Sequence, residues 1–129
     1  MAQFDVYTAN VRHVDDNKKD YRPILQLKSN PNAKWAFCTI TKNIERQWPT
    51  DVRITDLEAA HLDLPSAARL SERLSNKPTK MRKIGHLAPL DAAKVLIVLN
   101  TPHKVYIHKT EEFDDEFTIN SILNEVLDD

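Results

Sequence analysis

Only one of the chain's 129 residues is glycine, Gly85, so backbone turns that need positive φ have almost no glycine to draw on. Yet the first hundred residues are cut into short β-rich runs by polar segments, with no internal repeat and no low-complexity stretch. The bends must therefore rest on Pro, Asn, Asp and Ser. Residues 4–11 and 21–28 have strand composition, with the charged loop Asp15-Asp16-Asn17-Lys18-Lys19-Asp20 between them. Ser29-Asn30-Pro31-Asn32 ends the second run, and residues 34–41 read as a third strand. A short fourth follows Pro49 at 51–54, and two more are expected at 66–74 and 80–87. In the last of these, Met81, Lys83 and Gly85 alternate against Arg82, Ile84 and His86. Pro89 suits the first turn of a helix over 89–99, where its missing N–H costs nothing. Leu90, Ala93, Leu96 and Val98 cannot share a narrow stripe, so that helix is expected to be buried against the sheet, with a second subunit as further cover. Many short strands with helices towards the end predict an α+β domain built on a small, strongly curved antiparallel sheet.

Asn100-Thr101-Pro102 closes the helix, dividing the chain into a domain over 1–100 and an acidic C-terminal extension over 101–129. Val105, Tyr106 and Ile107 suggest a brief strand in the extension. After the N-cap candidate Thr118, residues Ile119, Ile122, Leu123, Val126 and Leu127 recur at helical spacing and predict an amphipathic helix. Asp128 and Asp129 oppose its dipole, so it needs an apolar surface to lie on. The net charge of −1 hides an uneven distribution. Eight of the 19 acids follow Lys109, and no Lys or Arg does, which leaves residues 1–110 at about +7. A basic body favours a polyanion such as RNA; a solvated charged surface is the alternative.

Composition narrows the class further. With 41% hydrophobic and 29% charged residues, the chain is expected to fold rather than remain disordered. The longest apolar stretch, 95–99, is far below the roughly 20 residues of a membrane span, and Met1-Ala2-Gln3-Phe4-Asp5 has no signal pattern. No membrane association and a cytoplasmic location are expected. Cys38 is the single cysteine, so there is no internal disulfide and no thiol pair for zinc, and core packing is its expected role. The chain has no Gly-rich phosphate loop, no His-Glu-x-x-His and no zinc spacing, so no metal and no cofactor are expected. Ser66 and Ser71 lack a nucleophile-elbow glycine pattern, which disfavours a hydrolase triad.

What remains is Arg and Thr placed on strands. Phe4-Asp5-Val6-Tyr7 is followed by Tyr21-Arg22-Pro23-Ile24-Leu25-Gln26-Leu27, then by Thr39-Ile40-Thr41 and Pro49-Thr50-Asp51-Val52. Ser66-Ala67-Ala68-Arg69-Leu70 and Ile84-Gly85-His86-Leu87 come next, and a helix closes the series. In this order, over residues 4 to 100, the chain resembles the MazF/PemK family of bacterial toxins. The resemblance implies an SH3-like antiparallel β-barrel with a helix after the last barrel strand, assembled as a homodimer whose shared groove takes single-stranded RNA. It implies a metal-independent endoribonuclease of a toxin-antitoxin system, neutralised by a cognate antitoxin protein and leaving 2′,3′-cyclic phosphate and 5′-hydroxyl ends. The ribose 2′-OH is the nucleophile in that reaction, so the protein need only position the phosphodiester and stabilise its charge.

By the same resemblance Arg22 matches the catalytic arginine and Thr41 the strand-end threonine. Arg69 aligns with an arginine used by some relatives, Ser71 stands where some carry an acid, and His13 lies in the loop bordering the active site. Phe4 replaces the family's usual glycine, and the loop over 14–20 is charged where relatives are Gly-rich. Trp48, beside Arg46 in a polar stretch, is a candidate for contact with bases, whereas Trp35 is expected in the core. Each has a plainer alternative: Arg22 paired with Asp20, Thr41 as an ordinary strand residue, Arg69 beside Glu72 or Asp63, His13 solvated. A catalytically inactive barrel that binds RNA or protein, or an unrelated β-barrel module, remains the alternative for the whole chain. The acidic tail is read as a competitor for the RNA groove, or else as a helix that caps the barrel.

Overall fold

The computed structural model describes residues 2–12, 19–45, 47–74, 78–102 and 106–108. Six antiparallel strands form one sheet: β1 (Asp5–Arg12), β2 (Lys19–Gln26), β3 (Phe37–Thr41), β4 (Asp51–Arg53), β5 (Ala67–Leu74) and β6 (Thr79–His86). Their spatial order is β4-β5-β3-β2-β1-β6, and β7 (Tyr106–His108) adds to β5 in parallel. Helix α1 (Leu57–Ala60) lies between β4 and β5, and α2 (Pro89–Leu99) follows β6. The α+β class and the helix after the sixth strand agree with the sequence. The barrel does not close: β4 and β6 stand at opposite ends of the strand order, with no ladder joining them among the described residues. With β7 on β5, the extension's brief strand belongs to the sheet of the preceding domain. The amphipathic helix expected after Thr118 lies outside the described residues. No helix among the described residues is long and apolar enough to cross a membrane.

Strand alternation sorts the interior into two layers. Val6, Leu25, Cys38, Ile40, Val52 and Ala68 point to one face, where Ala60 of α1 and Val95 of α2 complete a buried cluster. Tyr7, Ala9, Val11, Ile24, Phe37 and Leu74 occupy the other face and form a second cluster. Cys38 is fully buried, and burial pushes its thiol up to about 12, with the nearby Arg73 charge opposing only in part. The native thiol is therefore expected to resist a disulfide reagent at pH 8 and to react at full rate in denaturant; comparable rates in both conditions would contradict its burial.

Several boundaries differ from the sequence reading for local reasons. The third strand begins at Phe37 rather than 34, because Trp35 takes φ 60° in the turn that enters it. Trp35 is nonetheless buried in the core, as expected. The simple alternation expected over 80–87 is broken by two irregularities in the β1–β6 register, with Lys80 at φ 53°. Helix α2 occupies residues 89–99 as expected but is not covered all round within the chain. Asp91 and Val95 are buried, while Leu90 and Ile97 are 70% and 67% exposed.

Candidate nucleic-acid interface

The β2–β3 ladder pairs Gln26 with Phe37, Leu25 with Cys38 and Ile24 with Thr39. Arg22 and Thr41 each lie two residues beyond the last of these pairs. The ladder ends before them, and strand alternation puts both on the face that carries Ile24 and Thr39. Thr41 then pairs with Ala67 on β5, and Ala67 with Arg53 on β4. One cross-strand row thus runs Thr41, Ala67, Arg53, with a small, fully buried alanine between the threonine and the arginine.

Arg22 is half-buried and Arg53 exposed, and among the described residues neither side chain has a hydrogen-bond or ion-pair partner. A guanidinium and a hydroxyl at the two ends of one row, with a second guanidinium on the adjacent strand, suit an extended anion such as a phosphodiester chain. Thr41 is 8% exposed. Its Oγ1 accepts the Asn43 backbone N–H at 3.1 Å, which fixes the oxygen and leaves the hydroxyl proton to donate elsewhere.

The adjacent row runs Ile24, Thr39, Arg69, Asp51. Arg69 grips Asp51 through two hydrogen bonds, Nε to Oδ1 at 3.2 Å and Nη2 to Oδ2 at 3.0 Å. Asp51 also accepts the Trp48 N–H at 3.0 Å, and the Arg69 guanidinium lies 4.2 Å from the Trp48 ring centroid. This cluster ties the segment after Thr41 back to the sheet, and it occupies Arg69 with an acid other than the Glu72 or Asp63 weighed from sequence. The signal was present in the sequence as Asp51, but only the β4–β5 pairing reveals it. Arg69 is a positioning residue for the Trp48 loop. The Trp48 ring, half-buried, meets Arg69 on one side.

Ser71 is buried in the irregular stretch of β5 opposite Cys38 and Thr39, and its hydroxyl has no partner among the described residues. The structure therefore puts Arg22 and Thr41 on the adjacent strands β2 and β3 and joins Arg69 to Trp48 and Asp51, while Ser71 lies inside. His13 and Arg46 lie outside the described residues. Arg53 was not singled out by the sequence, and only its cross-strand position connects it to the row. Among the described residues no group of His, Cys, Asp and Glu is arranged to hold a metal ion. No protein-family model and no curated protein matches the chain.

Proposed function

We propose that the chain is a metal-independent endoribonuclease of the toxin type, cutting single-stranded RNA by attack of the substrate's own 2′-OH. The observation that carries this reading is the placement of Arg22 and Thr41 on the adjacent strands β2 and β3, where alternation turns both to the same side of the sheet. Arg22 presents a planar fork of donors to the non-bridging oxygens of the scissile phosphate, and Thr41 adds its hydroxyl proton. A guanidinium holds its proton too tightly to make a good base at neutral pH, so the role of Arg22 is electrostatic. The 2′-oxygen attacks phosphorus, its proton passing to solvent. The 5′-oxygen leaves with a proton, giving the cyclic phosphate and a 5′-hydroxyl.

A backbone detail supports the kinship with MazF/PemK toxins on which this reading draws. At the position where that family carries glycine, Phe4 adopts φ 70°, a conformation that glycine enters without strain. In the same reading the curled sheet is an open variant of the SH3-like barrel. Leu90 and Ile97, seven residues apart on one face of α2, are the surface a second subunit covers in a homodimer. A cytoplasmic location and inhibition by a cognate antitoxin complete the proposal.

The test is incubation of purified protein with single-stranded RNA in excess EDTA, with end-group analysis of the fragments. Wild type is expected to cut, and Arg22→Ala to lower the rate by about 10²- to 10³-fold. Cleavage abolished by EDTA would indicate a metal nuclease, and RNA binding without scission would indicate an inactive binding barrel.

A further inference from the structure

On the opposite face of β2 from Arg22 lies a cavity of about 270 Å³ that the proposed cleavage does not use. Its near wall is made by Thr8, Tyr21 and Pro23, and its far wall by residues 61–64 and Ser66, with Ile84 at the side. Tyr21 and Pro23 flank Arg22 in sequence, and Lys42, which also lines the cavity, follows Thr41. Successive strand residues point to opposite faces, so the cavity and the Arg22–Thr41 pair are separated by about the thickness of one strand layer.

We infer that this cavity is a base-binding subsite, and that it takes a guanine of the RNA strand; the assignment to RNA rests on the nuclease reading. Three observations carry it. The walls include flat apolar surface, from Pro23, Ile84 and Leu62, of the kind a base ring covers. Tyr21, 56% exposed, is held at the mouth by its hydroxyl, which donates to the Lys80 carbonyl at 3.1 Å, so its ring is an ordered stacking platform. One cation, Lys42, and one carboxylate, Asp63, line the same space, and among the described residues neither side chain is engaged by another group.

The last point selects the base. A carboxylate only accepts hydrogen bonds, and it does so best from two parallel donors. Guanine alone among the four bases offers adjacent N1–H and N2–H donors on one edge, beside an O6 acceptor that an ammonium group reads. Uracil turns carbonyl oxygens towards the same carboxylate on both sides of its single N–H. Adenine and cytosine offer one amino group next to an acceptor.

The experiment is an NMR titration of the full-length ¹⁵N-labelled protein with each of the four ribonucleoside 5′-monophosphates. GMP is expected to shift the amides of Tyr21, Lys42, Leu62, Asp63 and Ile84, and to bind about tenfold more tightly than UMP. Asp63→Asn, a change at an exposed side chain, is expected to erase that preference while the rest of the spectrum stays native. Preference for another base, shifts centred elsewhere, or an Asp63→Asn variant that still favours GMP would each overturn the assignment. GMP binding here by a protein that cuts no RNA would sink the nuclease reading and leave the site standing. Arg22-dependent cleavage without GMP binding would do the reverse.

Discussion

Gly85→Ala is expected to destabilise the fold by about 3 kcal/mol or more, visible as a large fall in the urea midpoint. A Cβ at Gly85 would fall 2.5 Å from the Ala59 carbonyl oxygen, and 2.6 and 2.8 Å from the carbonyl carbon and oxygen of Ala60. All three atoms are backbone, so no side chain can swing aside. Either α1 lifts from β6 or the strand bends away. The conformation of Gly85 is not the issue, since its φ is not positive; close approach alone demands the missing Cβ. Helix α1 has four residues, held by Asp56 accepting the Ala59 N–H and closed by His61 at φ 57°. So short a helix has no stability of its own and follows wherever its seat moves. The cavity's far wall begins at His61, so the variant is expected to lose GMP binding as well as stability. A midpoint unchanged from wild type would show that α1 does not need this seat.

Much of this architecture was legible in the chain, and the illegible parts have identifiable physical causes. Residues 89–99 were readable as a helix because proline at the start and an apolar run coincide with a stop at Asn100. The strand at 66–74 was readable to within one residue from its composition and its flanking turn residues. Helix α1 was not, because four residues fix no period. The irregularities between β1 and β6 were hidden because alternation in one strand says nothing about the partner's register. The candidate site divides along the same line. Arg22 and Thr41 could be chosen individually, but the row that joins Thr41 to Arg53, and the bond from Arg69 to Asp51, exist only once β4, β5 and β3 are placed side by side. Asp91 shows the point most sharply, since a first-turn acid on a helix looks like an ordinary complement to the dipole.

Asp91 has instead no exposed surface and binds four groups. Its carboxylate accepts the Thr55 N–H at 3.1 and 3.0 Å, the Thr55 hydroxyl at 2.7 Å, the Asp56 N–H at 3.0 Å and the Lys94 ammonium at 3.1 Å. These bonds hold the start of α2 against the segment leaving β4, while Lys94 also donates to the Arg53 carbonyl at 2.9 Å. Burial by itself would push the Asp91 carboxyl up. The hydrogen bonds from Asp56, Thr55 and Lys94 outweigh it and hold the group below its ordinary value of 3.8. Asp91→Ala removes the acceptor of two part-buried N–H groups, the Thr55 hydroxyl and the Lys94 ammonium, so a loss of about 2–4 kcal/mol is expected. Asp91→Asn keeps the shape but turns an NH₂ towards donors, and should recover only part of that loss. The sign of the pH dependence follows from the lowered pKa. The wild type binds this proton less readily folded than unfolded, so the contribution is complete above about pH 4 and disappears as the pH falls through the folded value. The gap between wild type and Asp91→Asn in urea is therefore expected to be widest near pH 7 and to close on acidification below pH 4. A gap that stayed constant to pH 2 would mean that Asp91 acts by shape alone and that its charge contributes nothing to holding α2 in place.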